Sequence, residues 1–508
     1  MISNSKQRTI GIILQYCQMA LGIIISLIST PIILRVLGKN EYGIYNLASS
    51  IISYLNLLSF GFGASYIRFY SIYKKNEDME GIKRMNGLYL LVFFAIGIIA
   101  LISGLFLSQN VQWFYNETYT SDELSIAQTL MVFLAVNLAI SFPASVFISY
   151  VTAQERFIFQ KLVNMGITVI SPVLTIALLF AGYGSIGMVI VTTAITIIVD
   201  LINVIFCLTK LEMKISFIRP NFALLKDIFV FSIFIAINQI IDQINWQTDK
   251  IILGKVCNGA AVAVYAVGAQ INNMFSSFSG AISGVFVPKV NAIVSKNEED
   301  MDEQLTSLFI RVGRIQWFVL ALVLTGFIFF GQFFVLKWAG EGYDNSFWVA
   351  LLLMSPAIIP LIQNIGIEIQ RAKNKHQFRS IAYLIMAFIN IGISIWFAMM
   401  WGEIGAAMGT TISLLIANGL VMNIYYHKRL GINIIEFWKS IGQTLPGLIV
   451  PISFGVCMSI FYTFNGLFDF ILLIIAYTTI YCLSLYFLGI NKEEKNRINW
   501  VFRKVFRK

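Results

Sequence analysis

Long apolar segments follow one another along almost the whole chain, and they constrain its fold more than any other feature. Each is about 20 residues long, the length of helix needed to cross the hydrocarbon core of a bilayer. Only 12% of the residues are charged, against about a quarter in soluble domains. The sequence therefore predicts an all-α polytopic membrane protein. We expect fourteen spans, at residues 10–34, 43–67, 86–108, 124–150, 160–181, 185–208, 227–250, 260–287, 306–330, 346–369, 379–400, 404–426, 441–463 and 467–489.

The distribution of Lys and Arg predicts the orientation of these spans. With both termini in the cytoplasm, 31 of the 36 basic residues fall on the inner side. The outer side receives five, which are Arg35, Lys39, Lys250, Lys255 and Lys337. This bias follows the positive-inside rule. It accounts for most of the net charge of +10, so no nucleic-acid partner is expected.

An internal repeat relates two halves of the sequence. The tripeptide Ile-Ile-Leu at 32–34 recurs at 251–253, and the pattern Gly-x-Ile-Gly-x4-Thr-Thr at 184–193 recurs at 402–411. The offsets are 219 and 218 residues, so each half would hold six spans with the same topology. We therefore expect three parts: a first six-helix lobe at 1–215, a second at 216–430, and two further helices with a basic cytoplasmic tail at 431–508.

One predicted span carries a polar stripe on an otherwise apolar helix. Asn238, Asp242, Asn245 and Asp249 are separated by four, three and four residues, so they share one face. Because an acid exposed to lipid is energetically costly, this face is expected to line protein or a water-filled cavity. Asp242 falls in the outer half of the span and is interpreted as a candidate proton or sodium site. Asp249 is expected to form a solvated interfacial pair with Lys250.

A second acid, Asp200, lies within the predicted span at 185–208. Two interpretations stay open for it, a hydrogen-bonded structural group or a part of the ion-coupling site. No cofactor is expected other than a coupling ion, proton or sodium. The sequence contains no Gly-x4-Gly-Lys-Ser/Thr loop and no long outer connection with paired acids. An enzyme is therefore not expected.

Basic residues are expected at both mouths of a cavity between the lobes. The repeat pairs Arg35 with Lys255 at the outer ends of helices and Arg68 with Lys289 at the inner ends. These residues either bind an anionic substrate or lie at the interface as ordinary flanking charges. The candidate substrate-binding cations are Arg35, Arg68, Lys250, Lys255, Lys289, Arg311 and Arg314.

The last segment, residues 491–508, is basic and amphipathic. Ile498, Phe502 and Val505 share one face of a helix, and lysines and arginines surround them. This pattern is typical of a segment that lies on a membrane surface. We expect the tail to bind anionic lipids on the cytoplasmic side.

Three motifs carry a resemblance to a known family. They are Thr-Pro-Ile-Ile-Leu-Arg-Val-Leu-Gly at 30–38, Glu-Tyr-Gly-Ile-Tyr at 41–45, and Thr-Asp-Lys-Ile-Ile-Leu-Gly at 248–254 with Val-Tyr at 264–265. With two parallel six-helix repeats, the chain resembles the multidrug/oligosaccharidyl-lipid/polysaccharide exporter superfamily. Within it, the chain is similar to the O-antigen and capsule repeat-unit flippases (Wzx type).

The resemblance implies a flippase for a polyprenyl-diphosphate-linked oligosaccharide in a bacterial or archaeal inner membrane. It implies alternating access between MATE-like lobes, ion coupling, and a role in O-antigen, capsule or lipopolysaccharide biosynthesis. A polysaccharide polymerase and chain-length machinery are candidate partners. Two alternatives share the fold, a cation-coupled multidrug antiporter and a lipid II flippase. A membrane polymerase or ligase would be expected to carry a large catalytic outer loop, which this sequence lacks.

Overall fold

In a computed structural model, the described residues are 4–217, 222–296, 298–375, 377–462, 466–496 and 499, and they contain helices and no strand. The predicted all-α class is confirmed. The α-helices are α1 (Asn4–Leu37), α2 (Lys39–Ser53), α3 (Phe62–Lys75), α4 (Met79–Gln109), α5 (Ser121–Ala153), α6 (Phe157–Phe180), α7 (Gly184–Thr209), α8 (Phe222–Val256), α9 (Gly259–Gly284), α10 (Val287–Lys296), α11 (Met301–Ala339), α12 (Asn345–Ile362), α13 (Ile365–Ala372), α14 (Gln377–Leu414), α15 (Asn423–Arg429), α16 (Ile434–Gly442), α17 (Pro446–Phe461) and α18 (Leu467–Ser484). Short 3-10 helices occur at Tyr54–Ser59 and Val111–Trp113, and π-helices at Leu415–Met422 and Leu485–Gly489.

Many of these helices are long and apolar enough to cross a membrane. The described residues contain ten such segments, or up to 13 if three bent helix pairs each cross as one span. One segment, Gln377–Arg429, has 53 residues, which is about 80 Å of helix and more than twice the thickness of a bilayer core. Its helical geometry breaks at Trp401 and Gly402, between the predicted spans 379–400 and 404–426. The protein is a multi-pass membrane protein, and the exact count of fourteen spans stays a prediction.

The second predicted span is broken rather than continuous. After α2 and a 3-10 turn, Phe60 and Gly61 both have positive φ, 45° and 69°, before α3 begins. Glycine adopts this conformation at little cost. A Cβ at Gly61 would also lie only 2.3 Å from Cγ2 of Ile235 on α8. The break therefore brings the backbone of this span close to the polar helix.

The chain divides into two compact units. The first consists of Met1–Val267 and Ser380–Thr410, and the second of Gly268–Arg379 and Thr411–Lys508. These boundaries fall inside α9 and α14. The lobes predicted from the repeat, 1–215 and 216–430, have other boundaries and stay a prediction.

The first unit has a core rich in aromatic rings. Helix α5 packs against α4 and α7, and α1 packs along α6. The rings of Tyr66 and Tyr89 meet edge to face with their centres 5.0 Å apart, and those of Tyr70 and Tyr150 at 5.5 Å. Helices α2 and α3 also pack against α8. This unit therefore holds the helix that carries the polar stripe.

The second unit is organised around α11, which packs against α12, α16, α17 and α18. Phe330, Phe470 and Tyr477 form one of its apolar clusters. The basic tail follows this unit. Its proposed apolar face, Ile498, Phe502 and Val505, lies outside the described residues, so lipid binding by the tail stays a prediction.

Candidate functional site

Asp249 on α8 lies at the centre of a buried polar cluster in the first unit. Only 2% of its surface is exposed. Its Oδ2 accepts hydrogen bonds from the hydroxyl groups of Tyr265 at 2.5 Å and Thr410 at 2.6 Å. Tyr265 belongs to α9 and Thr410 to α14, so three helices meet at one carboxylate.

Further oxygen atoms extend this cluster along α14. Asn390 Oδ1 lies 3.5 Å from Thr410 Oγ1 and 3.1 Å from Ser394 Oγ, which in turn lies 3.4 Å from the carbonyl oxygen of Ala406. The side chains of Asn390, Ser394 and Thr410 are all buried. From Asp249 to Ala406, five oxygen atoms therefore follow one another at spacings of 2.6 to 3.5 Å.

The expectation that Asp249 forms a solvated pair with Lys250 is wrong. Helix α8 continues to Val256, beyond the predicted end at residue 250, and α9 folds back so that Tyr265 reaches the acid. Lys250 points about 100° away around the helix. Its Nζ donates to Oε1 of Gln247 at 3.2 Å. In the described part of the chain, no lysine or arginine forms an ion pair with Asp249.

The other members of the stripe have different surroundings. Asp242 is exposed, whereas Asn238 and Asn245 are half-buried. Asn238 Oδ1 accepts a hydrogen bond from Ser380 Oγ at 3.2 Å. Asp242 and Asp249 are seven residues apart and share a helix face, as predicted. Of these two acids, the structure encloses only Asp249.

Asp200 on α7 is a second buried acid in the first unit. It is 7% exposed, and its Oδ2 has no hydrogen-bond partner among the described residues. This differs from Asp249, whose Oδ2 accepts from two hydroxyl groups. Asp200 is therefore buried, but no hydroxyl group among the described residues donates to its Oδ2 as Tyr265 and Thr410 do to Asp249.

The predicted cations Arg35, Arg68 and Lys255 of the first unit have different surroundings. Lys255 is exposed and donates from Nζ to the carbonyl oxygens of Gln112 at 3.1 Å and Tyr115 at 3.4 Å. The guanidinium of Arg68 lies 4.3 Å from the ring centre of Phe231 on α8. Arg35 is exposed near the end of α1. Of these, Lys255 holds a loop in place and Arg68 stacks on an aromatic ring.

Arg314, in the second unit, is a structural residue rather than a substrate-binding cation. It is 3% exposed, and its guanidinium donates to both carboxylate oxygens of Glu494, from Nε at 2.6 Å and from Nη2 at 2.7 Å. It also donates to the carbonyl oxygens of Ser440 and Gly489. With its donors engaged in this way, the prediction that Arg314 binds substrate is corrected.

Lys289 and Arg311 line the same cavity as Arg314, which has a volume of about 870 Å³ within the second unit. Both of their side chains are exposed. Six acids also line this cavity, namely Asp300, Asp302, Glu303, Glu436, Glu493 and Glu494. Some are engaged locally, since Lys373 Nζ pairs with Asp302 at 2.5 Å. The cavity is therefore mixed in charge, with Lys289 and Arg311 as its cations available for a ligand.

Sequence reasoning missed four residues of the Asp249 cluster: Tyr265, Asn390, Ser394 and Thr410. Two of them carried a signal. Tyr265 has a repeat partner in Tyr45, and Thr410 belongs to the Gly-x-Ile-Gly-x4-Thr-Thr pattern. Asn390 and Ser394 are isolated polar residues in an apolar span and carried none.

Comparison with known proteins gives a family and a fold. The model of the family described as "Polysaccharide biosynthesis protein" matches residues 11–293. The uncharacterized membrane protein EpsK of Bacillus subtilis (strain 168) is 21% identical over 452 residues, covering 86% of this chain and 85% of that protein. A putative O-antigen transporter of Shigella flexneri is 20% identical over 412 residues, covering 80% and 94%.

Two solved structures match the architecture. The lipid II flippase MurJ, in an inward closed conformation, matches with a TM-score of 0.69 and 16% identity over 98% of this chain and 100% of that chain. An inward-facing multidrug resistance MATE transporter of the MOP superfamily matches with a TM-score of 0.64 and 14% identity over 84% and 99%. These likenesses confirm the predicted MATE-like transporter fold. Because the family model covers more than half of the sequence, the chain belongs to the polysaccharide biosynthesis protein family.

Proposed function

We propose that the protein is a flippase for a polyprenyl-diphosphate-linked oligosaccharide repeat unit in surface polysaccharide biosynthesis. The observation that carries this proposal is that a chain of the polysaccharide biosynthesis family has the fold of a lipid II flippase over 98% of its length. The substrate moves from the inner to the outer leaflet of the cytoplasmic membrane, with both termini of the protein inside. Polysaccharide polymerase and chain-length proteins are candidate partners.

Reconstitution tests this function against its two alternatives. Purified protein in vesicles receives a fluorescent polyprenyl-diphosphate oligosaccharide, fluorescent lipid II, or a cationic dye of the kind that multidrug antiporters export. We expect transbilayer movement of the oligosaccharide lipid to be faster than in protein-free vesicles and to exceed that of the other two compounds. Movement of lipid II alone, or of the dye alone, would replace the proposal with the corresponding alternative.

We further propose that the Asp249 cluster binds the coupling ion. A cation held about 2.4 Å from each oxygen in octahedral geometry places neighbouring ligand oxygens about 3.4 Å apart. The five oxygens from Asp249 to Ala406 follow one another at 2.6 to 3.5 Å, and four of them are neutral hydroxyl, amide or carbonyl oxygens. Hard cations prefer oxygen ligands, and this cluster supplies one carboxylate oxygen and four neutral oxygens. It favours Asp249 over Asp242, the sequence-based candidate.

Charge balance gives the ion a role in the transport cycle. A buried carboxylate without a counter-charge is destabilising, and a bound cation offsets that cost. Ion binding would therefore favour the arrangement in which α8, α9 and α14 meet at Asp249. A ligand shifts a conformational equilibrium only by its differential affinity for the two states. The enclosed site supplies such a difference, because its five oxygens come from α8 and α14, and Tyr265 of α9 holds the carboxylate.

Two matched variants test the ion site. Asp249→Asn keeps the shape and removes the charge, and Asp242→Asn makes the same change at an exposed acid on the same face. In vesicles with an imposed sodium or proton gradient, we expect Asp249→Asn to lose gradient-driven transport and to keep substrate binding. Asp242→Asn should respond like the parent. A normal gradient response of Asp249→Asn would place coupling elsewhere.

A further inference from the structure

One sector of α8 lies between the two helices that form side-chain hydrogen bonds with it on either side in the first unit. On one side, Gln243 and Gln247 form hydrogen bonds with α2. On the other side, Asn238 and Asp249 form hydrogen bonds with α14. At about 100° per residue, the side chains of Gln243 and Asp249 point about 120° apart around the helix. A sector of that width therefore separates the two packed sides.

Gln239, Trp246 and Lys250 occupy this sector, and we call these three residues the α8 face. Their side chains point within about 40° of one another, and about 16 Å of helix separates the first from the last. Trp246 is 43% exposed, and Gln239 and Lys250 are half-buried. The face therefore presents an amide, an indole and an ammonium group in one row along the helix.

Two observations indicate that the α8 face meets water inside the membrane. Asp242 is exposed one turn before Trp246 and about 40° from it around the helix, and an acid exposed to lipid is energetically costly. Trp246 also lies about 15 Å before the end of α8 at Val256, which is half the thickness of a bilayer core. Tryptophans that anchor a helix to the membrane surface lie at the interface instead. The exposed indole is therefore not explained by an interfacial belt.

The three side chains of the α8 face offer complementary contacts to a ligand. The flat face of the Trp246 indole is electron-rich and attracts weakly positive C–H groups. Lys250 Nζ donates to Gln247 Oε1 at 3.2 Å, and an ammonium group has three donors in all. Gln239 Oε1 is buried and has no hydrogen-bond partner among the described residues, which is costly unless a ligand or water donates to it. The face therefore combines an apolar platform with a donor and an acceptor.

A sugar ring matches this combination, because C–H groups cover the faces of a pyranose and hydroxyl groups surround its edge. We propose that the α8 face binds a sugar ring of the transported oligosaccharide, with the ring stacked on the indole of Trp246. Lys250 donates to one hydroxyl group of the sugar, and Gln239 accepts from another. This binding rests on the proposed function, which supplies the sugar as part of the substrate.

The charges beside Trp246 favour a neutral ligand over a cation. The face of an indole also attracts organic cations, which are the ligands of multidrug antiporters. Here, however, Asp242 lies one turn before Trp246 and Lys250 one turn after it, so the two charges offset each other. A neutral, hydroxyl-bearing ring loses nothing in such surroundings, whereas a cation gains little.

Binding measurements with two lipids test the α8 face. The first probe is the fluorescent polyprenyl-diphosphate oligosaccharide isolated from the cells that make the protein, and the second is the same polyprenyl diphosphate without sugar. We expect Trp246→Ala to weaken binding of the first lipid at least about tenfold, because truncating a tryptophan at the centre of a contact is among the costliest changes. Binding of the sugar-free lipid should stay at the parent level. Trp246→Phe keeps an aromatic platform and should retain most of the glycolipid affinity.

Trp396→Ala is the matched control for these measurements. Trp396 is 60% exposed, belongs to the α14 part of the first unit, and has the ring of Phe397 as its neighbour at 5.0 Å. The control should bind both lipids like the parent. If Trp246→Ala also bound both lipids like the parent, or lost affinity for both by the same factor, the α8 face would not bind the sugar.

The same measurements separate this inference from the proposed function. Glycolipid flipping by the parent, together with parent-like glycolipid binding by Trp246→Ala, would contradict the sugar-binding face alone. If the parent bound neither lipid but bound a cationic dye in a manner that depended on Trp246, the proposed function would fail. The α8 face would then be a site for organic cations, and its assignment to sugar would fall as well.

Discussion

Asp249 in the first compact unit and Arg314 in the second are both almost completely buried, and the two side chains are held in opposite ways. In the second unit, Arg314 is 3% exposed and is neutralised by both carboxylate oxygens of Glu494. In the first unit, Asp249 is 2% exposed, and its hydrogen-bond donors are the neutral hydroxyl groups of Tyr265 and Thr410. The carboxylate of Glu494 is a fixed partner, so Arg314 is structural, whereas for Asp249 we have proposed a mobile cation as the counter-charge. Burial alone therefore does not distinguish a structural charge from a candidate binding site. The groups that contact the buried charge make that distinction.

The partner of Arg314 is itself held in place. Glu494 Oε2 accepts from the backbone N–H of Asn491 at 2.9 Å, and the backbone N–H of Glu494 donates to Asn491 Oδ1 at 2.8 Å. This reciprocal pair is a capping box at the start of the short C-terminal helical segment. Arg314 thus ties that segment to α11. Among the described residues, no lysine or arginine forms an ion pair with Asp249.

The largest effect is expected from breaking the fixed pair. Arg314→Ala leaves Glu494 without its partner, and removing one member of a buried ion pair costs about 3–5 kcal/mol of unfolding free energy. Thermal unfolding in detergent measures the loss. Arg311→Ala, three residues away and exposed, is the control and should change stability by less than about 0.5 kcal/mol. Equal unfolding temperatures for the two variants would show that the ion pair of Arg314 with Glu494 does not stabilise the fold.

The opposite result is expected at Asp249. Asp249→Asn removes a buried charge, so in sodium-free buffer the variant should be at least as stable as the parent. If the cluster binds sodium, the unfolding free energy of the parent should rise by about 2.7 kcal/mol when the sodium concentration is 100 times the dissociation constant. The unfolding free energy of the variant should not change with sodium. Thermal unfolding across a sodium series measures both. If sodium still stabilised Asp249→Asn against unfolding, the Asp249 cluster would not be the ion-binding site.

A smaller effect, on binding rather than stability, is expected at the exposed cations of the second unit. If Lys289 and Arg311 form charge-assisted hydrogen bonds to the substrate diphosphate, each alanine variant should lose about 1.5–3 kcal/mol of binding free energy. Titration with the labelled glycolipid measures it. Arg371→Ala, at a surface arginine paired with Glu368, is the control. If both alanine variants bound the glycolipid with the affinity of the parent, Lys289 and Arg311 would not contact the substrate.

The smallest effect is expected at Asp200. Its Oδ2 is buried without a partner among the described residues, so Asp200→Asn should change unfolding free energy by less than about 1 kcal/mol. The sodium-dependent gain in stability should remain. If sodium no longer stabilised Asp200→Asn but still stabilised Asp249→Asn, Asp200 rather than Asp249 would be the ion-binding acid.

The fold was largely predictable because its signals are local. Apolar segments of spanning length, helical periodicity and turn residues are read within about 20 residues of sequence. They identified the all-α membrane class and the break at Trp401 and Gly402. The break in the second span was missed. It depends on Phe60 and Gly61 and on their approach to Ile235, which lies far along the chain.

The sequence by itself determined that Asp249 lies on the polar face of a spanning helix and that Arg314 follows one turn after Arg311. It did so because helical period and hydrophobicity are properties of neighbouring residues. Only the tertiary structure decided that Asp249 is enclosed, since its partners Tyr265 and Thr410 lie 16 and 161 residues away. Likewise, Arg314 is neutralised by a residue 180 positions later. Whether a charge meets water, a hydroxyl group or an opposite charge depends on which distant helices pack against it, and short-range sequence patterns do not contain that information.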